Sequence, residues 1–331
     1  MDRISATILT GFLGSGKTTL LNTLLEASPG ERIFVIVNEY GEVGIDGKLI
    51  VETQDDVVEL NNGCICCTVR GDLIAAMQGL LASGRAVDRI IIETSGLADP
   101  APVIQSFMLD EVLRQRIQLD AIVTVVDARH VADQLALDEA REQICFADVL
   151  LLNKIDLADE ASLAATQDML QRLNPLARII RTHTCDVPRA AVLDLRAFDL
   201  RNVLAIDPDI LADHAHEHDE SIGCVALRER VPLDPAAFNI WLNRLVQAAG
   251  KDLFRIKGVL NFADEPRRYV FHGVHMTLEG RPGRVWRAGE TRLSEIVFIG
   301  RNLDAEMLRH GLDACRQEPA VERAARAALA G

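Results

Sequence analysis

Leu9-Thr10-Gly11-Phe12-Leu13-Gly14-Ser15-Gly16-Lys17-Thr18-Thr19 follows a mainly apolar run over 4–9 and matches the spacing G-x-x-x-x-G-K-[ST]. Glycines at 11, 14 and 16 let the backbone turn tightly and aim its N–H groups inward. A helix is expected over 18–26, and its dipole favours an anion at that turn. The stretch reads as a phosphate cradle in which Gly11, Gly14, Ser15, Gly16, Lys17, Thr18 and Thr19 bind nucleotide. Lys17 would reach the β- and γ-phosphates, and the Thr18 hydroxyl would hold Mg²⁺.

Outward from this loop, apolar β-branched runs alternate with helical spacing. Strands are expected over 33–37, 89–92, 121–126, 148–152 and 177–181, and helices over 72–82, 103–114, 131–141 and 160–173. The alternation implies an α/β, P-loop NTPase domain with a mainly parallel sheet covered by helices. Ligands of such sheets gather at the carboxyl ends of the strands.

Several motifs fall just after an expected strand. Asn38-Glu39-Tyr40-Gly41-Glu42-Val43-Gly44-Ile45-Asp46 suits a mobile loop that senses the γ-phosphate or its Mg²⁺, with Glu39 or Asp46 near the metal. Glu93-Thr94-Ser95-Gly96-Leu97-Ala98-Asp99-Pro100 reads as a second switch. Glu93 would reach Mg²⁺ through water and the Gly96 N–H would touch the γ-phosphate, so that loss of this group releases the loop. Lys17, Thr18, Glu93 and Gly96 are the catalytic candidates, and no glutamine stands where a small GTPase would put the one that orients water. Asn153-Lys154-Ile155-Asp156 reads the base: a carboxylate at Asp156 accepts from the N1–H and N2–H₂ edge of guanine, which adenine lacks. Thr182, after the next strand, is a candidate to complete the base pocket.

Between the two switches stand Cys64-Ile65-Cys66-Cys67. Thiolates are soft ligands that favour zinc, Cu(I) or iron–sulfur centres. Three sulfurs are one short of a closed structural zinc site, which leaves a position for a carboxylate such as Glu42, a water, or a ligand offered by another protein. Gly63 and its polar neighbours suggest a loop, against the competing readings of three core cysteines or a redox pair.

The whole-chain numbers narrow the function classes. At 331 residues the chain holds one large or two ordinary domains. A net charge of −14 argues against a general nucleic-acid binder. Neither a signal peptide nor a bilayer-spanning apolar run is expected, which points to the cytoplasm. In that reducing compartment the seven cysteines do not suggest a disulfide framework.

From about residue 205 the pattern breaks. His214, His216 and His218, spaced by two and flanked by acids, offer weak or accessory metal ligands, or else form a solvated linker. A smaller α/β unit follows, with strands expected over 224–228, 253–260, 269–275, 284–287 and 295–299 and helices over 235–248 and 304–315. His272 and His275 are expected on opposite faces of one strand, and Cys145, Cys185, Cys224 and Cys315 read as core.

The constellation resembles the CobW family of metal-handling GTPases, a branch of the SIMIBI-class P-loop proteins that also holds the urease and hydrogenase nickel-insertion GTPases. The resemblance is carried by the loop at 11–18, the segment 38–46, C-x-C-C at 64–67, the segment 93–100, the tetrapeptide 153–156, the histidine tract and Arg255-Ile256-Lys257-Gly258. It implies a GTPase domain over 1–205, a His-rich linker over 206–221, a CobW C-terminal-like α/β domain over 222–318 and a helical or disordered tail over 319–331. It implies GTP and GDP, Mg²⁺ and Zn²⁺ as ligands, with Co²⁺ for cobalamin synthesis as the alternative ion. Metal would pass from the cysteines to a metal-requiring client protein in a step that needs GTP hydrolysis, with no nucleic-acid or membrane partner and with homo-oligomerisation left open. A GTPase that reports zinc status without handing metal over is the rival reading. Because 38–99 holds both switches and the cysteines in one segment, nucleotide state and metal geometry are expected to be joined.

Overall fold

The strand that delivers the phosphate loop, β1 (Ile4–Thr10), is the central strand of a seven-stranded sheet. The computed structural model describes residues 3–39, 56–61, 66–197 and 222–317, with the backbone alone at 38–39, 56–61 and 66–70. The chain divides into two compact units between residues 212 and 213.

In the first unit β1 is joined by β2 (Ile33–Glu39), β3 (Asp56–Asn61), β4 (Arg89–Glu93), β5 (Ile117–Asp127), β6 (Val149–Asn153) and β7 (Arg178–Arg181). Their order is β3-β2-β4-β1-β5-β6-β7, and every pairing is parallel. The helices are α1 (Lys17–Glu26), α2 (Cys66–Ala82), α3 (Ala101–Leu109), α4 (Glu111–Arg116), α5 (Val131–Gln134), α6 (Asp138–Cys145) and α7 (Glu160–Leu173). On one side Leu20, Leu21, Leu24 and Leu25 of α1 pack with Val35, Val37, Ile91, Val123 and Val125. Ile36, Ile90, Ile92 and Ile122 alternate with those strand residues and are buried as well. Both faces are therefore covered, which is why these strands read as continuous apolar runs. Each buried leucine of α1 contributes about 1.5–3 kcal/mol by leaving water.

Parallel pairing sets where the strands that precede the candidate motifs end. The carboxyl ends of β3, β2, β4 and β1 lie side by side on one edge, with Glu39 level with Asn61, Val37 level with Glu93, and Leu9 level with Glu93.

The elements of this unit depart from the sequence expectation at four places. The apolar spacing over 103–114 is two helices, because Asp110 leaves helical geometry and its carboxylate caps α4 through the Leu113 N–H at 2.9 Å. The spacing over 131–141 likewise breaks, at Leu137, whose extended backbone starts α6. The strand β3 was not expected, and Cys66 and Cys67, read as part of a loop, are the first residues of α2.

The second unit holds β8 (Ile222–Glu229), α8 (Pro235–Ala249), β9 (Leu253–Leu260), β10 (Arg267–Val274), β11 (Thr277–Val285), β12 (Ser294–Arg301) and α9 (Ala305–Asp313). Its sheet, β11-β10-β9-β12-β8, is antiparallel throughout. Phe238 of α8 anchors the core, edge-on to Trp241, Phe262 and Phe271. Gly258 admits the Phe271 ring, since a Cβ there would meet it at 2.2 Å. The strand expected over 284–287 is in fact β11, ending at Val285. As an edge strand paired only with β10 it needs no apolar run, and Gly280, Pro282 and Gly283 hide it. His275, expected inside a strand, lies past the end of β10 with a left-handed φ of 50°. No described helix is long and apolar enough to cross a membrane.

Candidate nucleotide-binding site

The loop between β1 and α1 has the backbone its glycines permit. Gly11, Gly14 and Gly16 have φ of 138°, 72° and 114°, values that side chains rarely tolerate. A Cβ at Gly11 would stand 2.2 Å from the Val125 carbonyl, and one at Gly16 2.7 Å from Asn153 Nδ2. Gly16 is the N-cap of α1 and supplies no side-chain cap, so the first-turn N–H groups face the loop.

Four of the loop's carbonyls are engaged by side-chain donors. Lys17 Nζ donates to the Phe12 carbonyl (3.2 Å), Lys154 Nζ to Gly14 (2.7 Å), Asn153 Nδ2 to Ser15 (2.9 Å) and the Cys185 thiol to Gly16 (3.4 Å). These bonds engage the loop's carbonyls and hold it in the shape of a cradle. Within it Ser15 Oγ is fully buried with no hydrogen-bond partner among the described residues, an orphan that a phosphate oxygen would satisfy.

At the carboxyl end of β4, Glu93 Oε1 accepts from Thr18 Oγ1 at 2.8 Å, and Glu93 is buried. A hydroxyl and a carboxylate meeting beside a phosphate cradle are the hard oxygen donors that suit Mg²⁺. The loop beyond is fixed to the first: Thr94 Oγ1 donates to Thr10 Oγ1 (2.8 Å), and Gly96 lies so close to Leu13 that a Cβ would meet its backbone nitrogen at 2.7 Å.

The tetrapeptide at 153–156 leaves β6 beside this cradle. Asn153 Oδ1 accepts from the Cys185 N–H (3.0 Å) while its amide nitrogen holds Ser15, so one side chain joins two loops. Lys154 adopts φ 60° and pairs with Asp127 at 2.9 Å. Burial pushes the Asp127 carboxyl up, but hydrogen bonds from Lys154, His130 and the Arg129 N–H outweigh it and hold the group below its usual range. Asp156, exposed on the turn Ile155–Leu157, lies 3.5 Å from His183 Nε2. Thr182, expected at the base pocket, is buried and its hydroxyl donates to the Asp186 carbonyl (2.9 Å), so it shapes the turn that brings Cys185 to Asn153. Burial pushes the Cys185 thiol up to about 12, which keeps it a neutral donor.

Asp127, Cys185 and Gln143 were not read from the sequence as site residues. Gln143 of α6 reaches the second switch, where Nε2 donates to the Gly96 and Ala98 carbonyls at 3.2 and 3.1 Å.

Glu42, Cys64, His214, His216 and His218 lie outside the described residues, as do the side chains of Glu39, Cys66 and Cys67. Among the described residues no cluster of His, Cys, Asp and Glu side chains is gathered to hold a metal.

Comparison with known proteins places the chain in context. The family model described as CobW/HypB/UreG, nucleotide-binding domain, matches residues 5–181, and the cobalamin synthesis protein cobW C-terminal domain matches 222–316. The zinc chaperone CobW of Sinorhizobium sp. is 34% identical over 94% of this chain and 97% of its own length. The zinc chaperone YjiA of Escherichia coli is 35% identical over 93% of this chain and 98% of its own. The crystal structure of Zn(II)-bound YjiA GTPase from E. coli superposes with a TM-score of 0.75 at 29% identity, covering 96% of this chain and all of that one (100%).

Proposed function

The chain belongs to the CobW family of P-loop nucleotide-binding proteins, and on that premise we propose that it is a GTPase that carries zinc at Cys64, Cys66 and Cys67 and releases it to a metal-requiring client when GTP is hydrolysed. Its support is one geometric fact. Four parallel strands, in the order β3-β2-β4-β1, end on the same edge and run on in turn toward the cysteines, the first switch, the second switch and the phosphate loop. At about 4.8 Å per strand, β3 is only about 14 Å from β1.

In this reading Lys17 exchanges its Phe12 carbonyl for the β- and γ-phosphates, and the α1 N–H groups and Ser15 Oγ take the remaining oxygens. Thr18 and Glu93 would hold Mg²⁺, with Glu39 a further candidate, and the ion would neutralise charge building on the β- and γ-oxygens. Asp156 turns from His183 to guanine, and Asn153 and Lys154 keep the base motif in register with the phosphates. The Gly96 N–H senses the terminal phosphate. Zinc is cargo, held by thiolates whose fourth partner is Glu42 or a group of the client. Cys66 and Cys67 stand on the first turn of α2, which packs on α3, the helix that follows the second switch. A change in that loop can therefore reach the zinc ligands through two packed helices.

The test loads the protein with one equivalent of zinc, adds a zinc-free metalloenzyme and Mg-GTP, and follows activation of the enzyme. Activation is expected with GTP and not with a non-hydrolysable analogue. Lys17→Ala is expected to lose nucleotide and transfer together, whereas the Cys64→Ala, Cys66→Ala, Cys67→Ala variant keeps GTP hydrolysis and loses transfer. Equal activation without nucleotide, or by the cysteine variant, contradicts the proposal.

A further inference from the structure

The loop that follows β4 is held at three places by groups outside it. Thr94 is bonded to Thr10, and Gly96 rests on the Leu13 backbone. The third hold comes from Gln143, on α6, whose amide nitrogen donates to two carbonyls of the loop, Gly96 (3.2 Å) and Ala98 (3.1 Å). Gln143 is itself 1% exposed, and its backbone carbonyl accepts from Thr124 Oγ1 of β5 at 2.7 Å. A buried amide whose donor is shared by two carbonyls of one loop, and whose backbone is tied to the neighbouring strand, is a fixed post.

We propose that Gln143 is a positioning residue for the second switch, setting how Gly96 meets the terminal phosphate and hence how strongly the site prefers GTP to GDP. Gly96 lies between two constraints, the Leu13 backbone on one side and Gln143 on its carbonyl. The Gln143 amide holds the peptide plane carrying the Gly96 carbonyl, and the preceding plane, which carries the Gly96 N–H, can turn only about the Gly96 Cα against the Leu13 backbone. A ligand lacking the γ-phosphate makes no demand on Gly96 and does not feel Gln143; one carrying it does. The inference deepens the GTPase reading and rests on it.

The experiment titrates GDP and a non-hydrolysable GTP analogue, each with Mg²⁺, into wild-type, Gln143→Leu and Thr124→Val proteins and records GTP turnover alongside. Leucine at 143 keeps most of the bulk and removes the donor, stranding two carbonyls; the Thr124→Val change leaves Gln143 in place but untied. In Gln143→Leu the ratio of analogue to GDP affinity, and kcat, are expected to fall about ten-fold, the scale of one lost buried hydrogen-bond partner, with GDP affinity unchanged. Thr124→Val shifts the same ratio in the same direction by less, and it decides the matter should Gln143→Leu fail to fold. A purely structural role would lower both affinities together or change stability alone, and either that pattern or an unchanged ratio overturns the inference. Wild-type protein that binds neither guanine nucleotide sinks the underlying GTPase reading and this inference with it, whereas normal wild-type binding with an unchanged ratio sinks the inference alone.

Discussion

Asn153 reaches Ser15, 138 positions away, donating to its carbonyl while accepting from the Cys185 N–H. Its neighbour Lys154 links Gly14 and Asp127, donating to both. The second link has a pH signature. Asp127 is held below the ordinary carboxylate range, so its ionised form favours the folded state. That stability is fully present above an ordinary carboxylate pKa of about 3.9 and is lost as pH falls through the lowered value. The stability difference between wild type and Asp127→Asn, from urea unfolding, is expected to be flat from about pH 6 to 8 and to shrink below about pH 4. A difference that grows in acid contradicts the sign. The tetrapeptide 153–156 was legible because its residue types sit at fixed spacing after a strand. Asp127 and Gln143 carry no such signal. Each is one polar residue, at a strand end or on a helix, and its role comes from a tertiary neighbour. Cys185 was read as core, and it is buried, yet its N–H and thiol both serve the site.

Among the elements, the β1–loop–α1 unit is the most constrained. Gly16 has φ 114° and its hydrogen points at Asn153 and Cys185, where a Cβ would come within 2.7 and 3.2 Å. Gly16→Ala must move the base motif or abandon the loop conformation. A strain of about 1–2 kcal/mol is already ten-fold in affinity, so GDP and GTP analogue are both expected to bind at least about ten-fold more weakly. Isothermal titration reads this directly, and unaltered affinity would mean the loop is not the cradle. Strands buried on both faces were legible as apolar runs, since a covered parallel sheet has no polar face to interrupt them. Helix ends were less so. Periodicity continues through Asp110 because α3 and α4 both bury apolar residues, and only the Asp110 cap marks the break. The strand β3, Asp-Val-Val-Glu-Leu-Asn at the edge of its sheet, is too polar to stand out. Its presence nonetheless puts the strand that precedes the cysteines in sequence beside the strand that precedes the first switch.

Across the first unit, the strand order converts sequence neighbours into spatial ones. The segment from β2 to β4 crosses the same edge three times, and the phosphate loop meets that edge next to β4. Nucleotide and zinc would then share one set of loops, and linkage requires their affinities to be coupled by the same factor in both directions. Moving such loops from 1:99 to 99:1 takes about 5.5 kcal/mol of differential binding, which the γ-phosphate and Mg²⁺ contacts must supply. The direct measurement is a reciprocal titration: zinc affinity with and without saturating Mg-GTP analogue, and analogue affinity with and without saturating zinc. Two shifts of equal size and the same sign are expected. No shift in either direction would contradict that coupling.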